Sequence, residues 1–128
     1  MRIRRIVGAV ALTTATVTSF VMPASAASAA GSCGHAVFSP DGGAMACFNP
    51  TGEHLFICDT DSDGHHPGAW YVRRDLLWHN VQYDLSAGNC HDLNLDMAES
   101  ESITYYACNY EGTEELGCSS WATVSANG

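Results

Sequence analysis

Short runs of apolar, aromatic and β-branched residues recur from Ala44 onward, and each is cut off within a few positions by Gly, Pro, Asn, Asp or Ser. The breaks are SPDGG (Ser39 to Gly43), NPTG (Asn49 to Gly52), DSDG (Asp61 to Gly64), HPG (His66 to Gly68), SAGN (Ser86 to Asn89) and EGTEELG (Glu111 to Gly117). Period-two alternation between such breaks predicts strands, and no useful stretch keeps a helical period. AMACF and EHLFIC, joined by the turn at Asn49 to Gly52, read as a hairpin with Cys47 and Cys58 on its two arms. In AWYVRR, Trp70, Val72 and Arg74 share one face and Tyr71 and Arg73 the other. LLWHNVQYDL holds a further strand whose buried face is not legible, because Leu76, Leu77 and Trp78 follow one another. HDLNLDMAES alternates cleanly, with Leu93, Leu95 and Met97 opposed to Asp92, Asn94, Asp96 and Ala98, as a half-buried strand requires. SITYYACNY and CSSWATVSA flank the segment Glu111 to Gly117 and read as a closing hairpin.

Roughly six to eight strands with no helix to cover them must bury their apolar faces against one another. The expected fold is therefore all-β, a small disulfide-stabilised antiparallel β-sandwich occupying residues 30–128 as one domain.

The first 29 residues are written differently. Arg2, Arg4 and Arg5 precede an uncharged, mostly apolar run from Ile6 to Met22, and small residues follow Pro23, which is the order of a secretory signal peptide cleaved after Ala26 or Ala29. The predicted location is secreted and extracellular, with no membrane association once the leader is removed. Cleavage also removes three of the five basic residues, leaving Arg73 and Arg74 against fourteen acids, a formal charge of −12 with no lysine. Such a chain repels phosphate backbones, so nucleic acid is not an expected partner. The acidity also serves solubility by itself.

All six cysteines, Cys33, Cys47, Cys58, Cys90, Cys108 and Cys118, lie beyond the leader, and an even number in a small exported chain reads as three disulfides. No two are spaced as zinc ligands are. Connectivity does not follow from sequence, but Cys108 and Cys118 would face each other across the closing hairpin, so that pair is the favoured bridge.

FICDTDSDGH, then GNCHDLNL, YYACNY and CSSWATVSA, together resemble small secreted β-rich proteins of actinobacteria whose function is uncharacterised, over about His54 to Ala126. The resemblance implies an exported β-rich domain and transfers no activity.

CDTDSDGHH is the stretch with the most evident chemistry. Asp59, Asp61 and Asp63 occupy alternate positions before Gly64, as in the front half of an EF-hand loop, with the His65 carbonyl next in order. Trp70 stands where the bidentate glutamate belongs, which excludes an EF-hand. A different calcium loop survives if a distant acid such as Asp75, Asp84 or Asp96 closes the sphere, with Kd on the order of 10⁻⁴ to 10⁻³ M. The competing reading is a turn in which the aspartates bond to nearby amides. His65 and His66 point apart on an extended backbone, and His35, His54, His79 and His91 carry no ligand spacing.

No nucleophile elbow, zinc-protease motif or phosphate loop is present. Aromatic residues are abundant, and Trp70, Trp78, Tyr106 and Trp121 are candidates either for a binding surface or, for the tryptophans, for the core beside a disulfide. The leading expectation is a non-enzymatic binding protein for an extracellular protein or glycan, with calcium as its one candidate cofactor. An alternative is an extracellular protease inhibitor presenting Glu111 to Gly117, where Leu116 is the apolar candidate. A small hydrolase acting through paired carboxylates is a third.

Overall fold

A computed structural model describes residues 34–127. The leader expected over residues 1–29, and Cys33, lie outside the described residues.

Nine strands follow one another: β1 (Gly34–Phe38), β2 (Ala44–Asn49), β3 (His54–Asp59), β4 (His66–Val72), β5 (Trp78–Gln82), β6 (Cys90–Asn94), β7 (Ser102–Glu111), β8 (Glu114–Cys118) and β9 (Ala122–Ser125). They form two antiparallel sheets, and no helix occurs among the described residues. The first sheet has the order β1-β2-β3-β6; the second has β5-β4-β7-β8, with β9 also paired to β7. The chain is the all-β, disulfide-stabilised antiparallel sandwich that its alternation predicts.

The turns explain where strands stop. Gly52 (φ 81°) and Glu53 (φ 56°) are left-handed between β2 and β3, and glycine takes the first of those positions without a Cβ clash. Three connections carry the chain from one sheet to the other, after β3, β5 and β6. The first of these, residues 60–65, is the aspartate-rich segment itself.

Between the sheets lie Ala46 and Phe48 from β2, Leu55 and Ile57 from β3, Ala69 from β4, Ile103, Tyr105 and Ala107 from β7, and Val124 from β9. Leu95 and Met97 join them although β6 ends at Asn94. The alternation in HDLNLDMAES thus predicts burial correctly while overextending the strand; Asp96, left-handed at φ 46°, breaks it. Met45, Cys47, Phe56 and Cys58 form a second buried cluster, against which Cys90 packs. Because β2 and β3 are buried on both faces, AMACF and LFIC read as unbroken apolar runs.

Tyr105 joins the sheets through a polar bond inside the apolar layer. Its hydroxyl donates to the His35 carbonyl (2.7 Å) and accepts from the Phe48 amide (3.3 Å), where the β1–β2 register shifts between Gly34 and Val37. None of the three tryptophans fills the core: Trp70 is half-buried, and Trp78 and Trp121 are exposed. The small inward residues Ala46, Ala69 and Ala107 leave room for Tyr105 and Phe48 instead.

Cys58 and Cys90 are directly opposed on β3 and β6 and are bridged; Cys108 and Cys118 are opposed on β7 and β8 and form the bridge expected from the sequence. Cys47 is also disulfide-bonded. These bonds fit an oxidising compartment, and no helix among the described residues is long and apolar enough to cross a membrane.

Candidate functional site

Two arrangements could meet a ligand: an aromatic sheet face and an acidic corner. On β7 the residues Ile103, Tyr105 and Ala107 point into the core, so Thr104, Tyr106, Cys108 and Tyr110 point outward. Trp70 sits directly across from Tyr106, and the Trp78 ring lies 5.5 Å from the Tyr106 ring. Trp121, 71% exposed, stands in the break between β8 and β9, where with Tyr106, Ser119 and Ser120 it lines an open cleft of about 500 Å³. All four candidate aromatics therefore come to one face. CSSWATVSA is not a single strand, as its composition suggests; Ser119 to Trp121 interrupt it, which releases the Trp121 ring.

Polar groups fix part of this surface. Trp70 Nε1 donates to Glu115 Oε1 (2.9 Å), the Tyr110 hydroxyl donates to the same oxygen (3.1 Å), and Asn80 Nδ2 donates to the Tyr110 hydroxyl (2.8 Å). Burial pushes the Tyr110 phenol up to about 12, so it stays a neutral donor. Gly68 permits this packing: a Cβ there would fall 2.5 Å from Tyr110 Cε2 and 2.7 Å from the Val81 carbonyl.

The acidic corner is at the end of the sandwich. Asp41 belongs to the β1–β2 turn, where its Oδ1 accepts from Ser39 Oγ (2.6 Å) and the Gly43 amide (3.0 Å). Asp63 belongs to the crossover after β3, where its Oδ1 accepts from the His65 amide (2.9 Å). Each carboxylate thus spends one oxygen on its own turn and aims the other at Asn109, whose Nδ2 donates to Asp41 Oδ2 (2.9 Å) and Asp63 Oδ2 (2.8 Å). Asn109 is fully buried on β7, facing inward in register with Pro67 and Gly117. His65 Nδ1 lies 3.5 Å from Asp63 Oδ2, and its Nε2 is 3.8 Å from Glu111 Oε2.

The charges follow from these contacts. Burial alone would raise the Asp41 carboxyl, but hydrogen bonds from Ser39, Asn109 and Gly43 outweigh it and hold the group below its ordinary value. The His65 amide, with Asn109 and the His65 ring, does the same for Asp63 against the opposing effect of burial. Asp59 moves the other way, raised by burial and by the charges of Asp63 and Asp61, with the Asp61 amide opposing.

Of the four sequence candidates for a calcium loop, Asp63 and His65 enter the cluster, whereas Asp59 and Asp61 lie outside it. Asp59 Oδ1 accepts from the Asp61 amide (3.2 Å), a local turn bond. Asp59, Asp61 and His65 do line a shallow polar cavity of about 300 Å³ with Asp84, one of the distant acids considered. Asp75 is engaged elsewhere, with the Leu77 amide and His79. The acid that joins Asp63 is Asp41, which sequence reading did not single out; SPDGG signals a turn and nothing more. Nothing in sequence could nominate Asn109, which meets these carboxylates only through sheet pairing. His66 turns away, its ring stacked on Tyr110, as expected for adjacent side chains.

Glu111 to Gly117 is not a free loop. β7 and β8 run to Glu111 and Glu114, so the tip is Gly112 and Thr113, with Leu116 in the irregularity between the Asn109–Gly117 and Tyr110–Glu115 pairs.

Set against known proteins, the chain matches no protein-family model, no curated sequence and no solved structure.

Proposed function

We propose that this is an exported, extracellular, non-enzymatic binding module that takes a neutral saccharide on the outer face of its second sheet. The observation that carries the reading is the gathering of Trp70, Trp78, Tyr106 and Trp121 on that face, with Trp121 solvent-exposed beside the cleft. Indole and phenol rings offer flat apolar area with a polar edge, which suits the apolar faces of sugar rings. The exposed Ser120 hydroxyl at the cleft and the second carboxylate oxygen of Glu115, whose first accepts from Trp70 and Tyr110, supply polar partners at the margin. The excess of acids over Arg73 and Arg74 favours a neutral ligand over a polyanionic one.

The inhibitor alternative draws less support from a hairpin whose tip is two residues long. Depletion assays on chitin, cellulose and peptidoglycan test the saccharide reading. Binding to at least one, weakened about tenfold by Trp121→Ala with an unchanged melting temperature, is the expected result. Retention on none of them, or retention indifferent to both Trp121→Ala and Trp78→Ala, overturns it.

A further inference from the structure

The strands at the margins of the two sheets are β1 and β6 in the first and β5, β8 and β9 in the second. A marginal strand leaves backbone N–H and C=O groups without a ladder partner, and folds blunt it with charges, bulges or shortness. Four of the five follow that rule. The pairing of β1 is irregular between Gly34 and Val37, β6 carries Asp92, β8 carries Glu114 and Glu115, and β9 is the shortest strand. β5 has no charged residue, no proline and an unbroken register with β4. From Leu76 to Tyr83 the chain has no acid at all, although it carries fourteen elsewhere. The direction of the free groups on β5 follows from the ladder. Residues opposed in an antiparallel pair alternate between exchanging both hydrogen bonds and exchanging neither. The Tyr83 amide donates to the Pro67 carbonyl (3.1 Å), so Tyr83, Val81 and His79 direct their backbone groups at β4. The amides and carbonyls of Trp78, Asn80 and Gln82 therefore point away from β4, and all three residues are exposed.

We infer that β5 pairs antiparallel with β5 of a second copy of this chain, about a two-fold axis at Asn80, and so joins two sheets into one. Because the free groups belong to every second residue, Trp78 meets the partner's Gln82 and Asn80 meets the partner's Asn80, each pair exchanging both hydrogen bonds. No like charges are opposed in this register. The two ends of the strand are complementary in charge. Arg74 stands in the turn before β5 and Asp84 follows it, and neither forms an ion pair among the described residues. Antiparallel pairing brings Arg74 of one copy toward the partner's Asp84 at both ends of the junction. Leu77, 64% exposed just before the strand, comes opposite the partner's Tyr83. A two-fold junction of this kind closes after two copies and uses up the open margin. Its axis is perpendicular to the sheet, so the aromatic faces of both copies come to the same side, and Gln82 of the partner subunit borders Trp78. The pairing does not rest on the saccharide reading. Its consequence does: two such faces side by side suit a repeating polymer held at two places at once.

The test needs no ligand, so its failure is separate from failure of the saccharide assays. The untagged mature protein, disulfides intact, is followed by sedimentation velocity from about 1 to about 100 μM in about 0.15 M sodium chloride, which screens the acids. A reversible monomer–dimer equilibrium within that range is expected, since a single-strand junction is small. Gln82→Pro removes an amide that β4 does not use, so it should weaken the dimer at least tenfold while circular dichroism stays that of the folded chain. Asn80→Lys and Asn80→Asp each set like charges opposite one another at the axis and should weaken it about fivefold. Mixing those two variants should restore it as a heterodimer, an outcome that requires Asn80 to face Asn80. A monomer at about 100 μM, open-ended association, a dimer indifferent to Gln82→Pro, or no recovery in the mixture would each overturn the proposal.

Discussion

Tyr105 bridges the two sheets with one hydroxyl, serving both the His35 carbonyl and the Phe48 amide. Tyr105→Phe leaves that amide and carbonyl without their partner and should cost about 1–3 kcal/mol in urea denaturation at pH 7. Its ionisation has a defined sign. Burial pushes the Tyr105 phenol up to about 12 from an ordinary value near 10, only partly offset by the Phe48 amide. The folded state favours the neutral phenol, so this stabilisation is complete below pH 10 and disappears as pH rises through about 12. The wild type should therefore lose stability steeply across that range, and Tyr105→Phe, with one titrating group fewer, less steeply. An equal slope in the two proteins would contradict this account. At this scale sequence is least informative: nothing in YYACN says which tyrosine is core and which is surface until the pairing partners are known.

Both described bridges join residues directly opposed on neighbouring strands, yet they close different lengths of chain. Cys58–Cys90 spans 32 positions and Cys108–Cys118 spans 10. Loop-closure entropy assigns about 4 kcal/mol to the first and about 3 kcal/mol to the second. Replacing Cys58 and Cys90 together by alanine should lower the urea midpoint more than replacing Cys108 and Cys118, and the opposite order would count against the entropic account. The first pair also holds β6, an edge strand, onto β3. The Cys108–Cys118 bridge was legible because its strands are consecutive and the turn between them is short. The Cys58–Cys90 bridge was not, because the whole of β4 and β5 intervenes in the chain.

Among the described residues, charge is one-sided. Fourteen acids face Arg73 and Arg74, and Arg73 is committed to the Leu95 carbonyl (2.8 Å) and Glu101 (3.6 Å). Self-repulsion of this kind weakens the compact state and is screened by salt, whose Debye length falls from about 30 Å at 0.01 M to about 3 Å at 1 M. Raising sodium chloride across that range at pH 7 should raise the urea midpoint. A flat or falling midpoint would mean that the acids are already compensated within the fold.

By itself the sequence determined the class of fold, because period-two alternation broken by turn residues and lacking any helical stretch has few ways to bury its apolar faces. It also favoured the Cys108–Cys118 bridge, which the structure contains, and marked which aromatics to watch, since alternation forces at least one of each neighbouring pair outward. Only tertiary structure decided what those aromatics and aspartates became. Trp70, Trp78, Tyr106 and Trp121 share a face because β4, β5, β7 and the β8–β9 break lie side by side. Asp63 left the local spacing of Asp59 and Asp61 to join Asp41 and Asn109, which are 22 and 46 positions away in the chain. Spacing along a chain records contacts made within a turn or a single strand; a site assembled from two sheets and a crossover leaves no such record.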